Sequence, residues 1–337
     1  MAAPYILYGP RISLFTRKLE AALRFYGIAF EHVQKTGENG PELEQRSGSH
    51  QVPVFQTPEN WMLADTTPIL DLLDGRFPER RLFPEGPAGV LVHVVEEVLD
   101  EWIARTMVHY RWHYEENTRA VVAALTGRDV TLQEAQEFPL AKWGPRACRA
   151  TGTESAYQQK KVEEEYLAIM EALETQLASS AFALGDRPTA VDAILLGGLR
   201  AHTNADPIPD LSGYPRVRTW DEKEAEEWAG EGELASFPES TPFARHVLEL
   251  GRDCYVPFVE ANARALAEGK KAFVIDTYGE EVSYLARPYP ESSRQMIRDR
   301  IAERLSPDER RAVAGWLEDF GLADCLSPRQ GSPRDST

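Results

Sequence analysis

Three short groups of residues near the start of the chain combine types that hold an anion, a peptide backbone and an amine. The first is Ser13-Leu14-Phe15-Thr16-Arg17-Lys18, which follows an apolar run and opens a helical pattern. A hydroxyl there sits beside free backbone N–H groups and the positive end of a helix dipole, where an anion is favoured. A thiol held at that point is pushed toward thiolate, and the Ser13 hydroxyl can donate a hydrogen bond to the sulfur. Helix capping alone also explains a serine in this place. The second group is Gln51-Val52-Pro53-Val54. A proline in a strand-like run gives nothing to a ladder, so it marks an edge, a bulge or a cis bond. A cis bond would turn the Val52 N–H and C=O outward, where a bound peptide could pair with them as an added strand. The third is Asp65-Thr66 at a helix start: the Thr66 hydroxyl and free N–H groups suit a carboxylate, and Asp65 suits an ammonium group. A capping motif accounts for the same residue types.

The elements that must position these groups follow from the pattern of apolar residues. Tyr5-Ile6-Leu7-Tyr8, closed by Gly9-Pro10, reads as a buried strand. Phe15, Leu19, Ala22, Leu23 and Tyr26 then form one stripe of a helix stopped by Gly27. Residues 30–33 read as a second strand, residues 36–50 as a loop with one helical turn near 41–45, and residues 52–55 and 61–64 as a hairpin. A hydroxyl before Pro68 caps a helix running to Phe77. Alternating strands and helices of this kind make a small layered α/β unit.

From Val90 onward long helical patterns dominate, over residues 90–125, 153–178, 189–203, 215–228 and 242–268, and a helical bundle is their natural packing. The expected organisation is a first domain over residues 1–80, a linker over 81–89 and a helical domain over 90–268. An extension over 269–326 holds a hairpin and two short helices, and a disordered Ser/Pro/Arg/Gly tail occupies 327–337.

Composition narrows the function classes. With 37 Lys+Arg against 54 Asp+Glu the formal net charge is -17, which repels a phosphate backbone and argues against nucleic acid as a partner. No run approaches the roughly 20 apolar residues of a membrane span, and the first residues lack signal-peptide character, so a cytoplasmic protein with no membrane partner is expected. Cys148, Cys254 and Cys325 have no paired spacing, so thiol chemistry would have to come from a ligand.

Ser13, Val52-Pro53 and Asp65-Thr66 together, in order and approximate spacing, resemble the glutathione-binding half of the cytosolic glutathione S-transferases. Phe182 to Asp192, with Thr189 and Asp192 at capping-box spacing, resembles the N-capping box of that family's second domain, a structural role. The Ser-x-Phe-Thr-Arg-Lys-Leu start and the His109-Tyr110-Arg111-Trp112 segment are similar to those of bacterial members carrying a C-terminal extension. The resemblance implies a thioredoxin-like first domain, an all-helical second domain, a homodimer through the first domain and the long helix, and a role in detoxification. It implies Ser13 as the catalytic residue of a serine-type site and glutathione as substrate or cofactor. Phe15, Val52, Pro53, Asp65 and Thr66 would hold the tripeptide, with Lys35 or His50 at its glycyl carboxylate. Leu14 stands where many relatives have proline, and Thr67-Pro68 departs from the usual residue after the acidic pair. Serine in place of cysteine argues against a reductase working through a mixed disulfide.

Trp102, Thr106, His109 and His113 share one face of the long helix. That face, with Tyr110 and Arg111, either forms the pocket for a small hydrophobic electrophile or packs in the core. His109 and His113 have metal-pair spacing but no third ligand in view, so no metal is expected. The reading is a glutathione-dependent transferase in which a thiolate attacks an electrophile. Other glutathione chemistry (lyase, isomerase, dehalogenase or etherase) and a non-catalytic scaffold remain as alternatives.

Overall fold

The computed structural model describes residues 3–222 and 228–328 of the 337. Its first apolar run forms β1 (Tyr5–Tyr8), and the stripe after it forms α1 (Leu14–Phe25), which turns Leu19, Leu23 and Phe25 into the core. Next come β2 (Phe30–Val33), α2 (Gly40–Ser47), β3 (Val54–Gln56), β4 (Met62–Ala64) and α3 (Thr66–Arg76). The sheet order is β2-β1-β3-β4, with β2 parallel to β1 and the other pairs antiparallel, Leu7 lying opposite Phe55. This is the thioredoxin-like arrangement expected. The stretch expected as a loop with one turn is an eight-residue helix, α2, ended by Gly48 at φ 72°. Proline in its first turn and a left-handed glycine after its last are the ordinary signals for such a helix.

The segment expected as a linker is tied down: Leu82 and Phe83 are buried, and their N–H groups donate to the Asp74 carboxylate at 2.7 and 2.9 Å. Helix α4 (Gly86–His113) begins at once and is buried on every side from Gly89 to Leu99. The single helix expected over 90–125 breaks at Tyr114, whose backbone is extended, and resumes as α5 (Glu115–Thr126). Asn117 and Thr118 donate to the Tyr110 and Arg111 carbonyls at 2.9 Å each, which satisfies the end of α4 and stabilises the break. The pattern reading gave no helix between 126 and 152, where α6 (Leu132–Glu137) and α7 (Gly144–Ala150) lie. Thr131 and Glu134 form a reciprocal capping box at the start of α6, a signal legible in the sequence.

The bundle continues with α8 (Ala156–Gln176), α9 (Ala190–Gly198), which passes into a π-helical turn over Leu199–Thr203, and α10 (Pro215–Glu222). The helix expected over 242–268 is two, α11 (Pro242–Leu250) and α12 (Val256–Ala267), joined by a π-helical turn over Gly251–Tyr255. Then come the hairpin β5 (Ala272–Thr277) and β6 (Glu280–Leu285), α13 (Pro288–Arg304), α14 (Pro307–Asp319) and α15 (Ala323–Leu326). In the acidic run at 221–227, Asp221 is buried and paired with Arg200 at 3.1 Å; the rest of that run's side chains and the expected tail from 329 lie outside the described residues.

Apart from Asp192, helix α9 is apolar, and it is buried along its whole length. Asp192 in its first turn accepts from the Thr189 N–H at 2.7 Å, the Thr189 hydroxyl at 3.0 Å and the Ala183 N–H at 2.9 Å. Helices α13 and α14 pack along α4, and Arg300 and Arg304 clasp Asp71 of α3 at 2.8 and 2.7 Å. The first domain and the long helix, through which the family resemblance implies a homodimer, thus both carry contacts to the chain's own extension. The buried apolar residues form one continuous cluster from Leu7 to Leu326, with a satellite around Val121 and Val130. No helix among the described residues is long and apolar enough to cross a membrane.

Candidate functional site

A cleft opens where the ends of three elements of the sheet domain meet α4 and the extension. Phe15 from the first turn of α1, Val52 and Pro53 before β3, and Asp65 and Thr66 at the start of α3 line one side. Asp100 and Glu101 of α4 and Arg287, Pro288 and Tyr289 of the extension line the other. The Val52–Pro53 bond is cis. The ladder of β3 starts only at Val54, so among the described residues the Val52 N–H and C=O have no backbone partner. Asp65 stands at φ 72°, a region non-glycine residues enter at a cost of about 1 kcal/mol or more. In place of an ordinary capping bond to α3 its carboxylate makes a weak contact with the Thr67 N–H.

The charges around the cleft are unevenly matched. Lys18 of α1 is fully buried and bonds Glu96 and, at 2.5 Å, Asp100. Burial alone would lower the Lys18 pKa, but Asp100 and Glu96 outweigh it and hold the ammonium charged. Burial pushes Glu96 up to about 7 against the pull of Lys18. Asp65 is raised to about 6, first by burial and then by the charge of Asp100; Lys18 and a weak contact with the Thr67 N–H oppose this. An acid so placed gains by receiving a cation.

The structure brings together Phe15, Val52, Pro53, Asp65 and Thr66 of the residues expected at the site. Ser13 caps α1: its oxygen accepts from the Thr16 N–H at 3.4 Å, and Phe15, two residues on, is the α1 residue on the cleft wall. Lys35 is engaged elsewhere, donating to the His50 carbonyl at 2.7 Å and pairing with Glu44 at 2.9 Å, and neither Lys35 nor His50 lines the cleft.

The residues expected to form an electrophile pocket are internal. The Trp102 ring N–H donates to Glu165 at 3.2 Å, Thr106 bonds the Trp102 carbonyl at 3.3 Å, and His109 bonds Glu163 at 2.6 Å while stacking on His113. Burial lowers the His109 pKa and raises that of Tyr110, which packs against Tyr166. Arg111 grips Asp206 at 3.0 and 3.1 Å and donates to the Ile12 carbonyl at 2.5 Å. It reaches the site only through that carbonyl, by fixing the backbone just before Ser13. The core alternative therefore describes this face, because α8 supplies the carboxylates that its polar groups need. Among the described residues no three His, Cys, Asp or Glu side chains come together as a metal site.

Sequence reasoning missed Asp100 and Glu101 as cleft residues, and Ser49, Arg287, Pro288 and Tyr289 with them. The first two were legible as an acidic pair on the long helix. Nothing local marks Arg287 or Tyr289, because their place depends on how the extension folds back.

Residues 7–81 match the family model described as glutathione S-transferase, N-terminal domain, and residues 100–220 match the glutathione S-transferase C-terminal domain. Among solved structures, a glutathione S-transferase from Rhodospirillum rubrum F11 is similar at 15% identity and TM-score 0.46, over 72% of this chain and 99% of that one. One from Methylobacterium radiotolerans JCM 2831, in complex with glutathione sulfonate, is similar at 18% identity and TM-score 0.45, over 69% and 98%. One from Sinorhizobium meliloti 1021 gives 16% identity and TM-score 0.45, over 73% and 98%. No curated protein matches the chain. With both domain models matched in order over more than half of its length, and with the sheet, helices and cleft disposed as described, the chain belongs to the glutathione S-transferase family.

Proposed function

We propose that this cleft binds glutathione and presents its sulfur as a thiolate to an electrophile. One observation carries the reading: the open peptide groups of Val52, the start of α3 with Asp65, and the first turn of α1 converge on one cleft. Each meets a different part of the tripeptide. The Val52 N–H and C=O pair with the cysteinyl backbone. The Thr66 hydroxyl and the free N–H groups of α3 take the γ-glutamyl carboxylate, and Asp65 takes the neighbouring ammonium group.

The sulfur then lies toward the start of α1. The Ser13 oxygen already accepts the Thr16 N–H, which leaves its hydroxyl hydrogen for a thiolate beside the positive end of the helix dipole. Lowered thiol pKa and fixed placement of the reactants supply the rate. The inward position of Trp102, Thr106, His109 and Tyr110 favours a second reading, a protein that holds glutathione without conjugating it.

Calorimetric titration with glutathione tests the common part. Wild type should give a saturable heat, and Asp65→Ala should bind about tenfold more weakly or worse, since a charge-assisted bond is lost. A wild type that gives no heat would falsify the site. Turnover of electrophiles by a protein that binds glutathione separates the two readings.

A further inference from the structure

Glutathione carries two carboxylates and one ammonium group, whereas the cleft wall carries Asp65, Asp100 and Glu101. Lys18 pairs with Asp100 and Arg287 with Glu101, yet with Glu96 beneath them the acids outnumber these cations, and the surplus would repel the second carboxylate unless a cation faces it. Lys18 is consumed beneath the cleft by Glu96 and Asp100, and Lys35 is turned away toward Glu44. Among the described residues that line the cleft, Arg287 is the one cation.

Its geometry is that of a prepared receptor. The Arg287 backbone is bracketed by the buried side chain of Asn262, which accepts from the Arg287 N–H and donates to the Arg287 carbonyl, both at 2.8 Å. The guanidinium lies over the Phe258 ring at 5.5 Å, and one of its terminal nitrogens bonds Glu101. A guanidinium has five N–H donors in a fixed fork, so this one pairing leaves donors over, and the Nε of Arg287 has no partner. Two residues on, the Tyr289 hydroxyl meets Ser49 Oγ at 3.2 Å and ties the start of α13 to the loop that carries Val52.

We propose that Arg287 receives the glycyl carboxylate of the bound tripeptide, so that a segment outside both matched domain regions completes the cleft. The proposal rests on the reading of glutathione as the ligand. The γ-glutamyl carboxylate already has the start of α3, which leaves the glycyl carboxylate as the anion without a partner. Glu101 keeps the guanidinium aimed while the cleft is empty and shares it when the peptide enters.

The test compares glutathione with its glycyl ethyl ester, titrated into the full chain as wild type, Arg287→Gln, Arg287→Lys, and Arg287→Gln combined with Glu101→Gln. Wild type should prefer the free acid by about tenfold or more, the worth of a charge-assisted carboxylate contact. Arg287→Gln should lose about that factor for glutathione and bind acid and ester alike, with Arg287→Lys in between. The double variant should keep the loss. Equal binding of acid and ester by wild type overturns the proposal, as does an Arg287→Gln protein that binds both equally more weakly. So does recovery of full affinity in the double variant, which would trace the loss to an unpaired Glu101. Absence of binding in wild type removes the glutathione reading itself. Wild-type binding weakened by Asp65→Ala, with Arg287→Gln unaffected, removes only the role of Arg287.

Discussion

Asp65 combines two unfavourable features, a left-handed backbone and a carboxyl raised to about 6 that Lys18 and the Thr67 N–H offset only in part. Such costs persist where the surrounding structure fixes them, often at ligand sites. The pH consequence has a definite sign. The folded pKa lies above the ordinary 3.8, so the contribution to stability is full below about pH 4 and is lost as pH rises through about 6. The groups facing Asp65 are Asp100, Glu101 and Lys18. An ammonium group bound to the carboxylate reverses the balance, so binding releases a proton. Glutathione affinity should therefore fall as pH is lowered from about 7 to about 5, approaching tenfold per unit below 6, and Asp65→Asn should flatten the profile. Titrations at several pH values in buffers of different ionisation enthalpy measure both the slope and the released proton. A wild-type profile as flat as the variant's would remove the ammonium from Asp65.

At the scale of elements, the start of α1 is held by contacts far away in sequence. Gly197 in α9 lies so near α1 that a Cβ there would come 2.8 Å from the Leu14 carbonyl oxygen and 2.9 Å from the Lys18 nitrogen, both backbone atoms that cannot rotate aside. Gly197→Ala should cost about 1–3 kcal/mol in denaturant unfolding, the usual range for overpacking, and Gly213→Ala, which meets nothing, should cost far less. Equal stability of the two would show that α1 is not held by this contact. This dependence also explains what the sequence could tell. The strands, α1, α3 and α9 were legible because each has its own period and its own stop, as with Gly27 after α1. The break at Tyr114 was not, since no glycine or proline marks it and the bonds from Asn117 and Thr118 that fix it come from the next helix. The stripe from Trp102 to His109 looks the same whether it faces a ligand or a core. Only the position of Glu163 and Glu165 on α8 decides between them.

At the scale of the molecule, α4 is an internal column. From Gly89 to Leu99 it is buried on all faces, with no solvent side, although it carries His93, Glu96 and Glu97 there. Part of that enclosure is the extension: Arg287 bonds Glu101, and Arg300 with Arg304 closes over Asp71 of α3. A homodimer using these faces of α3 and α4 would have to displace these contacts and leave Glu101 buried without its partner, at a cost of about 3–5 kcal/mol for a broken buried pair. Sedimentation equilibrium on the full chain should therefore return the mass of one chain at micromolar concentration. Removal of residues 269–337 should uncover the side of α4 on which α13 and α14 pack and yield self-association or aggregation. A stable dimer of the full chain would count against this account only if it used the covered faces, which cross-linking between α3 of one protomer and its partner would reveal. The same enclosure makes glutathione binding and the docking of the extension depend on one another, because Arg287 and Tyr289 belong to both. Saturating glutathione should accordingly protect the backbone of α13 from hydrogen exchange more than that of α5, which lies outside the cleft.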